Sequence, residues 1–208
     1  MESLAVLAMI SILVVTASPT FVQLLRDRRV NRAAMHLVDY YRTGRTRAMG
    51  RGQPMLVVWD TSAGANNSEP GTQGLLTLLE PIVTGAGVAT SCSQTPWTNI
   101  QVAGTAGGVM EVSRMDFKNR FYTYTNATFR DDVTPQGAQN HAEICFTPSG
   151  RTYIRFAPGD VFRPMQGVAS FAVRNVAIAT AGGSVCALGE PGCRTVFVPP
   201  NGVARLAL

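Results

Sequence analysis

Apolar residues crowd the start of the chain. From Ser3 to Leu25 no charged residue occurs, and most positions are Leu, Ile, Val, Ala or Met; charges begin abruptly at Arg26. A run of this length predicts a helix able to cross a bilayer, which takes about 20 apolar residues. Pro19 interrupts the run. A proline removes one helical hydrogen bond, so a kink or soft spot is expected there. A secretory signal peptide would be shorter, start basic and end in small residues. Here an acid, Glu2, stands at the threshold instead.

Past Leu25 the pattern turns amphipathic. Val30, Ala33, Ala34, Leu37, Val38, Tyr41 and Ala48 recur at helical spacing, with Arg26, Arg28, Arg29, Arg32, Asp39, Arg42 and Arg45 mostly on the other side. Gly44 weakens the last turns by about 1 kcal/mol relative to Ala. Gly50, Gly52 and Pro54 then end the helix. One helix to about Met49, roughly 70 Å long, is the expectation. Its half over 1–25 would lie in lipid. Its half over 26–50 would lay an apolar stripe on a β-rich head domain over 51–208.

Short apolar runs follow, punctuated by turns. Strands are predicted at Met55–Trp59, Leu75–Leu79, Val109–Val112, Phe121–Phe129, Ile144–Phe146, Thr152–Phe156, Ala169–Ile178, Val185–Leu188 and Thr195–Val198. Pro148-Ser149-Gly150, Pro158-Gly159-Asp160, Gly182-Gly183 and Pro200-Asn201-Gly202 mark turns between them. Strands without intervening helices predict an antiparallel sheet or sandwich, so the fold class is α+β with one long N-terminal helix.

Composition refines this picture at two points. The net charge of +5, carried mostly by arginine, suits contacts with phosphate or carboxylate and equally suits a solvated surface. The four cysteines, Cys92, Cys145, Cys186 and Cys193, are even in number and follow a membrane-length segment, which points to disulfides in an oxidising compartment. Zinc is a poor reading, because no pair has Cys-x-x-Cys spacing and only His36 and His141 offer imidazoles. Three pairings are open. The short Gly- and Pro-containing loop from Cys186 to Cys193 favours Cys186–Cys193 with Cys92–Cys145.

Chemistry is sparse. His141, Glu143 and Cys145 share one face of a strand, since alternate residues point the same way. No nucleophile signature surrounds them, and an oxidised Cys145 could not act as one. The Gly-rich stretches Gly104–Gly108 and Gly182-Gly183 lack the Lys-Ser/Thr of a phosphate loop. Asn126-Ala127-Thr128 matches a glycosylation acceptor, a triplet common by chance. No catalysis, metal or cofactor is expected.

The opening Met1-Glu2-Ser3-Leu4-Ala5-Val6-Leu7-Ala8-Met9-Ile10, an acid followed at once by an unbroken apolar helix, resembles the type IV pilin and type II secretion pseudopilin superfamily. Pro19 falls where many helices of that family carry a loosening proline. In the family a basic leader ending in Gly is removed, and a methylated Phe opens the mature chain. Neither precedes Glu2 here, so the start is expected upstream. Arg45–Met49 running into Pro54–Val58, Ile144–Arg151 and Arg194–Gly202 resemble segments of the H-type pseudopilins and the related minor pilins.

The resemblance implies a non-enzymatic subunit of a type IV pilus, acting in priming or at the tip of a retractile filament that drives twitching motility. A type II secretion pseudopilin, or a DNA-binding minor pilin for DNA uptake, is the alternative. Its partners would be other major and minor pilins through the N-terminal helix, the inner-membrane assembly platform, and membrane lipid before assembly. Glu2 would pair with the terminal amine of a neighbouring subunit, offsetting the roughly 2.5–3.5 kcal/mol that a carboxylate costs at the bilayer centre.

Orientation sets two signals against each other. Arg26–Arg32 would lie in the cytoplasm by the positive-inside rule. The cysteines, all C-terminal to that cluster, argue for the opposite side, and the family's arrangement agrees: a single pass in the inner membrane with a periplasmic head. Some minor pilins of this kind also grip DNA through a C-terminal Gly-Arg-x-Arg hairpin. Gly202-Val203-Ala204-Arg205 keeps only the second arginine, Arg205. Arg194, Arg151 and Arg155 are the other candidate DNA contacts, each equally plausible as a solvated strand residue.

Overall fold

The computed structural model describes residues 2–61, 74–82, 90–93, 95, 97, 108–130, 135–176, 186–187 and 190–207. Of residues 2–8, 10–17, 118–119 and 135–138 it describes the backbone alone. The elements are α1 (Glu2–Arg51), β1 (Met55–Asp60), β2 (Leu75–Pro81), β3 (Val109–Asp116), α2 (Phe117–Phe121), β4 (Thr123–Arg130), β5 (Pro135–Gln139), β6 (His141–Phe146), β7 (Thr152–Arg155), β8 (Arg163–Pro164), β9 (Ala169–Asn175), β10 (Cys193–Val198) and β11 (Arg205–Leu206).

At 50 residues α1 is about 75 Å long. Pro19 sits inside it without ending it. Gly50 is accommodated, and Gly52 makes the stop: its φ of 68° is the left-handed conformation glycine takes at a helix C-terminus, and its N–H reaches the Ala48 carbonyl at 3.1 Å. Gly44 has a packing role. A Cβ there would lie 3.2 Å from Val57 and 3.4 Å from Leu78, so its absence lets the helix approach β1 and β2.

Two antiparallel sheets form the head, in the orders β3-β2-β1-β6-β7-β8 and β11-β10-β9-β4-β5. Alternation along β1 decides what each face meets. Met55, Val57 and Trp59 point into the main core with the helix stripe and the second sheet, while Leu56 points to the opposite face. In the β2–β3 pairing a bulge at Val112 shifts the register between Leu78 and Leu79, and alternation along β2 puts Leu78 in the main core and Leu79 on the outer face. Aromatic rings tie the layers together. Tyr41 of α1 lies 5.3 Å from Phe171 of β9, and Trp59 of β1 lies 5.8 Å from Phe171 and 6.4 Å from Phe129 of β4.

The outer face of the first sheet carries a smaller cluster of Leu56, Leu79, Cys92, Trp97, Val109, Cys145 and Phe162. Cys92 is joined to Cys145 there, and Cys186 is joined to Cys193 next to β10, the pairs favoured from the sequence. The Trp97 indole N–H donates to the Cys92 carbonyl at 2.7 Å and holds that loop against the sheet.

Several expected boundaries need correction. Phe121 ends the short helix α2, and the strand after it begins at Thr123. The strand expected over Val185–Leu188 is absent at Cys186 and Ala187, which the disulfide turn holds in irregular backbone; Val185 and Leu188 lie outside the described residues. Strands β5 and β8 were not expected. The first begins with a proline and the second ends in one, and both lie at sheet edges, where a missing N–H costs nothing. Among the described residues no helix is long and apolar enough to cross a membrane. Most side chains of the expected span Ser3–Leu25 lie outside the described set, as does Gly182-Gly183.

Candidate functional site

The helix divides sharply along its length. Val30, Ala33, Ala34 and Leu37 are fully buried in the head. On the N-terminal side, Met9, Phe21, Val22, Leu24 and Leu25 are exposed, Met9 and Phe21 by more than 60%. Single exposed apolar residues are ordinary, but a projecting segment of them is a surface that wants a partner or lipid. Glu2 opens α1, and its side chain lies outside the described residues. Pro19 lies exposed within the projecting half.

The head grips the other half at successive levels. Where the helix enters, Asp27 accepts the Gly192 N–H at 3.3 Å and pairs with Arg194 at 2.8 Å. The Cys186–Cys193 turn is thereby fastened to the helix at the boundary of the projecting segment. Higher up, Tyr40 donates its hydroxyl to the Ser113 carbonyl on β3. Arg42 donates to the Ala204 carbonyl at 3.1 Å, and Arg45 to the Gly202 and Asn201 carbonyls at 2.6 and 3.3 Å. These two arginines, expected on the solvated side, hold the closing segment of the chain.

The last turns are fixed through Glu80. Its carboxylate is buried, with a relative exposure of 1%, and pairs with Arg47 at 2.9 Å and with Arg51; Gln53 donates to it at 2.6 Å. A buried carboxylate is tolerable only when paired and hydrogen-bonded, and here two guanidinium groups on one helix supply that. Neither Glu80 nor Asp27 was singled out from the sequence. The signal for Glu80 was present as one acid inside the apolar run Leu75-Leu76-Thr77-Leu78-Leu79-Glu80.

On the outer face of the first sheet, His141, Glu143 and Cys145 do lie on one side of β6. His141 bridges two carboxylates: Nδ1 is 3.1 Å from Asp60 and Nε2 is 3.1 Å from Glu143. Hydrogen bonds to Asp60 and then Glu143 raise its pKa to about 9, against the opposing effect of burial. Arg155 donates to the other Glu143 oxygen at 2.6 Å and stacks over Phe162 at 4.4 Å. Cys145 is held in its disulfide, so the row contains no thiol nucleophile. It is a neutralised ion cluster. The grouping of Cys186, Glu190 and Cys193 within 4.8 Å likewise offers no thiolate to a metal, because both sulfurs are bonded to each other.

The four candidate DNA contacts separate. Arg155 is buried and committed to Glu143, which corrects its reading as a solvated or phosphate-binding strand residue. Arg194 is committed to Asp27. Arg151, in the β6–β7 turn, and Arg205, on β11, are exposed. Arg205 faces outward while Leu206 packs against the core, as alternation on a strand requires.

These features define an α+β protein: one N-terminal helix packed on antiparallel sheets, stapled by two disulfides. Comparison with family models, with curated proteins and with solved structures finds no match.

Proposed function

We propose that the chain is a non-enzymatic filament subunit of the type IV pilin kind, a minor pilin acting in the assembly, priming or tip of a pilus. The observation that carries this reading is the division of α1. One half is locked into a disulfide-stapled head by Asp27, Arg42, Arg45, Arg47 and Arg51, and the other projects with apolar residues exposed. A helix held by one half in this way leaves the other half free, fit to sit in lipid as a single pass from the inner membrane with a periplasmic head. It can then pack against the helices of neighbouring subunits in a filament core. The apolar run Ser3–Leu25 and the acid at Glu2 suit both environments.

The test is recovery of the chain in filaments sheared from its native host. The chain should be found there in small amounts. Glu2→Ala should fold its head normally, judged by protease resistance, yet stay in the membrane fraction. Normal filament incorporation of Glu2→Ala would remove the pairing role. Loss of exoprotein release without loss of surface pili on deletion would make the subunit a secretion pseudopilin.

A further inference from the structure

Just above the projecting half of α1 lies an open cleft of about 670 Å³ lined by Arg29, Arg32, His36, Arg120, Phe121 and Tyr122. Arg29, Arg32 and His36 come from α1, at helical spacing that puts them along one side. Arg120 and Phe121 come from α2, and Tyr122 from the link to β4. The three arginines are exposed, and none forms an ion pair with a described carboxylate. No acid is among the residues that line the cleft. The aromatic floor is built: Phe121 stacks 5.2 Å from His36, and the Arg120 guanidinium lies 5.4 Å over its ring.

Tyr122 adds an independent observation. It has a φ of 56°, among the described residues the only non-glycine in the left-handed region, and its side chain is 66% exposed. A bulky residue is strained in that conformation, and such strain concentrates at functional positions. Here the strain presents an aromatic ring at the mouth of a basic cleft.

We propose that this cleft binds the phosphate headgroup of an anionic phospholipid. Arginine forks match phosphate oxygens in a bidentate manner, and a site without carboxylates has nothing to repel the anion. The position along the helix favours a lipid. Arg29 stands four residues past Leu25, a rise of about 6 Å, which is the level of the headgroups when the apolar half is in the bilayer. Basic residues at that level are drawn to anionic lipid, and tyrosine is at home in the same interface. The lipid source rests on the membrane-anchored reading above, whereas binding itself requires no filament.

The experiment uses the full chain in a neutral detergent, titrated with dihexanoylphosphatidylglycerol, dihexanoylphosphatidylcholine, glycerol phosphate and a single-stranded oligonucleotide. Calorimetry should give at least tenfold tighter binding of phosphatidylglycerol than of phosphatidylcholine. Arg29→Gln with Arg120→Gln should abolish that preference, and Arg205→Gln, on β11, should leave it unchanged. Tyr122→Gly, which relieves the left-handed backbone and therefore folds at least as well, should weaken the lipid severalfold. Equal binding of the two lipids, or an unaltered preference in the double variant, overturns the site. Glycerol phosphate binding as tightly as the lipid overturns the lipid assignment, and so does displacement of the lipid by lower concentrations of oligonucleotide. Failure of any of these leaves the filament test standing, since assembly is measured separately.

Discussion

Gly74 has a φ of 97°, and a Cβ at that position would fall 2.1 Å from the Thr125 Oγ1. That oxygen accepts the indole N–H of Trp59 at 2.9 Å, so a single methyl group would strain the backbone and break a buried link between the two sheets. Gly74→Ala is expected to cost about 3 kcal/mol or more in a urea titration. Tyr41 poses the opposite case. Its hydroxyl is buried and has no hydrogen-bond partner among the described residues, while its ring packs on Phe171 and Phe146. Burial accordingly raises its pKa well above the ordinary tyrosine value. Tyr41→Phe keeps the ring and removes the orphaned oxygen, so the same titration should show stability unchanged or raised by about 1 kcal/mol.

His141 makes stability depend on pH. Its folded pKa, about 9, lies above the ordinary 6.5, so the folded state holds the proton more tightly than the unfolded chain does. This contribution is complete below pH 6.5 and disappears as pH rises through 9. Denaturant midpoints of the native chain should therefore fall between those values, and His141→Asn should flatten the fall. An equally steep fall in the variant would assign the effect to other groups.

At the level of elements, the decisive contacts are those that fasten α1. Arg47 and Arg51 both neutralise Glu80, so either alone can be lost with modest effect. Replacing both with Ala leaves a buried carboxylate with only Gln53 beside it. The double variant should cost about 3–5 kcal/mol, more than the sum of the single losses. The Cys186–Cys193 turn acts at the other end. Its bridge should contribute about 2.5 kcal/mol by restricting the unfolded chain. Reducing it should also loosen the Gly192 and Arg194 contacts to Asp27, read as faster amide exchange at Gly192. Mass spectrometry of the unreduced protein should recover the Cys92–Cys145 and Cys186–Cys193 peptides and no mixed pair.

For the whole molecule, the main core is built from both sheets and the C-terminal half of α1, and no described residue of the projecting half belongs to it. A chain beginning at Arg26 keeps Asp27 and every buried stripe residue. It should therefore melt within a few degrees of the full chain while losing membrane attachment when exported by a signal peptide. Continued attachment of that shortened chain would place an anchor in the head instead of the helix.

The sequence by itself determined the long helix, its stripe of Val30, Ala33, Ala34, Leu37, Val38 and Tyr41, and the principal strands, because periodicity is a local consequence of side-chain direction. The disulfide pairing followed for Cys186–Cys193 from the shortness of its loop. Position along the chain could not show which arginines are solvated. Arg42, Arg45, Arg155 and Arg194 look alike in sequence to Arg151 and Arg205. Only the fold brings the carbonyls of Gly202 and Ala204, or the carboxylates of Glu143 and Asp27, within reach of the first group. The same holds for the cleft of Arg29, Arg32 and Arg120, whose members lie on two elements far apart in the chain. Burial pattern is written residue by residue, whereas electrostatic partnership depends on distances that exist only after the sheets have paired.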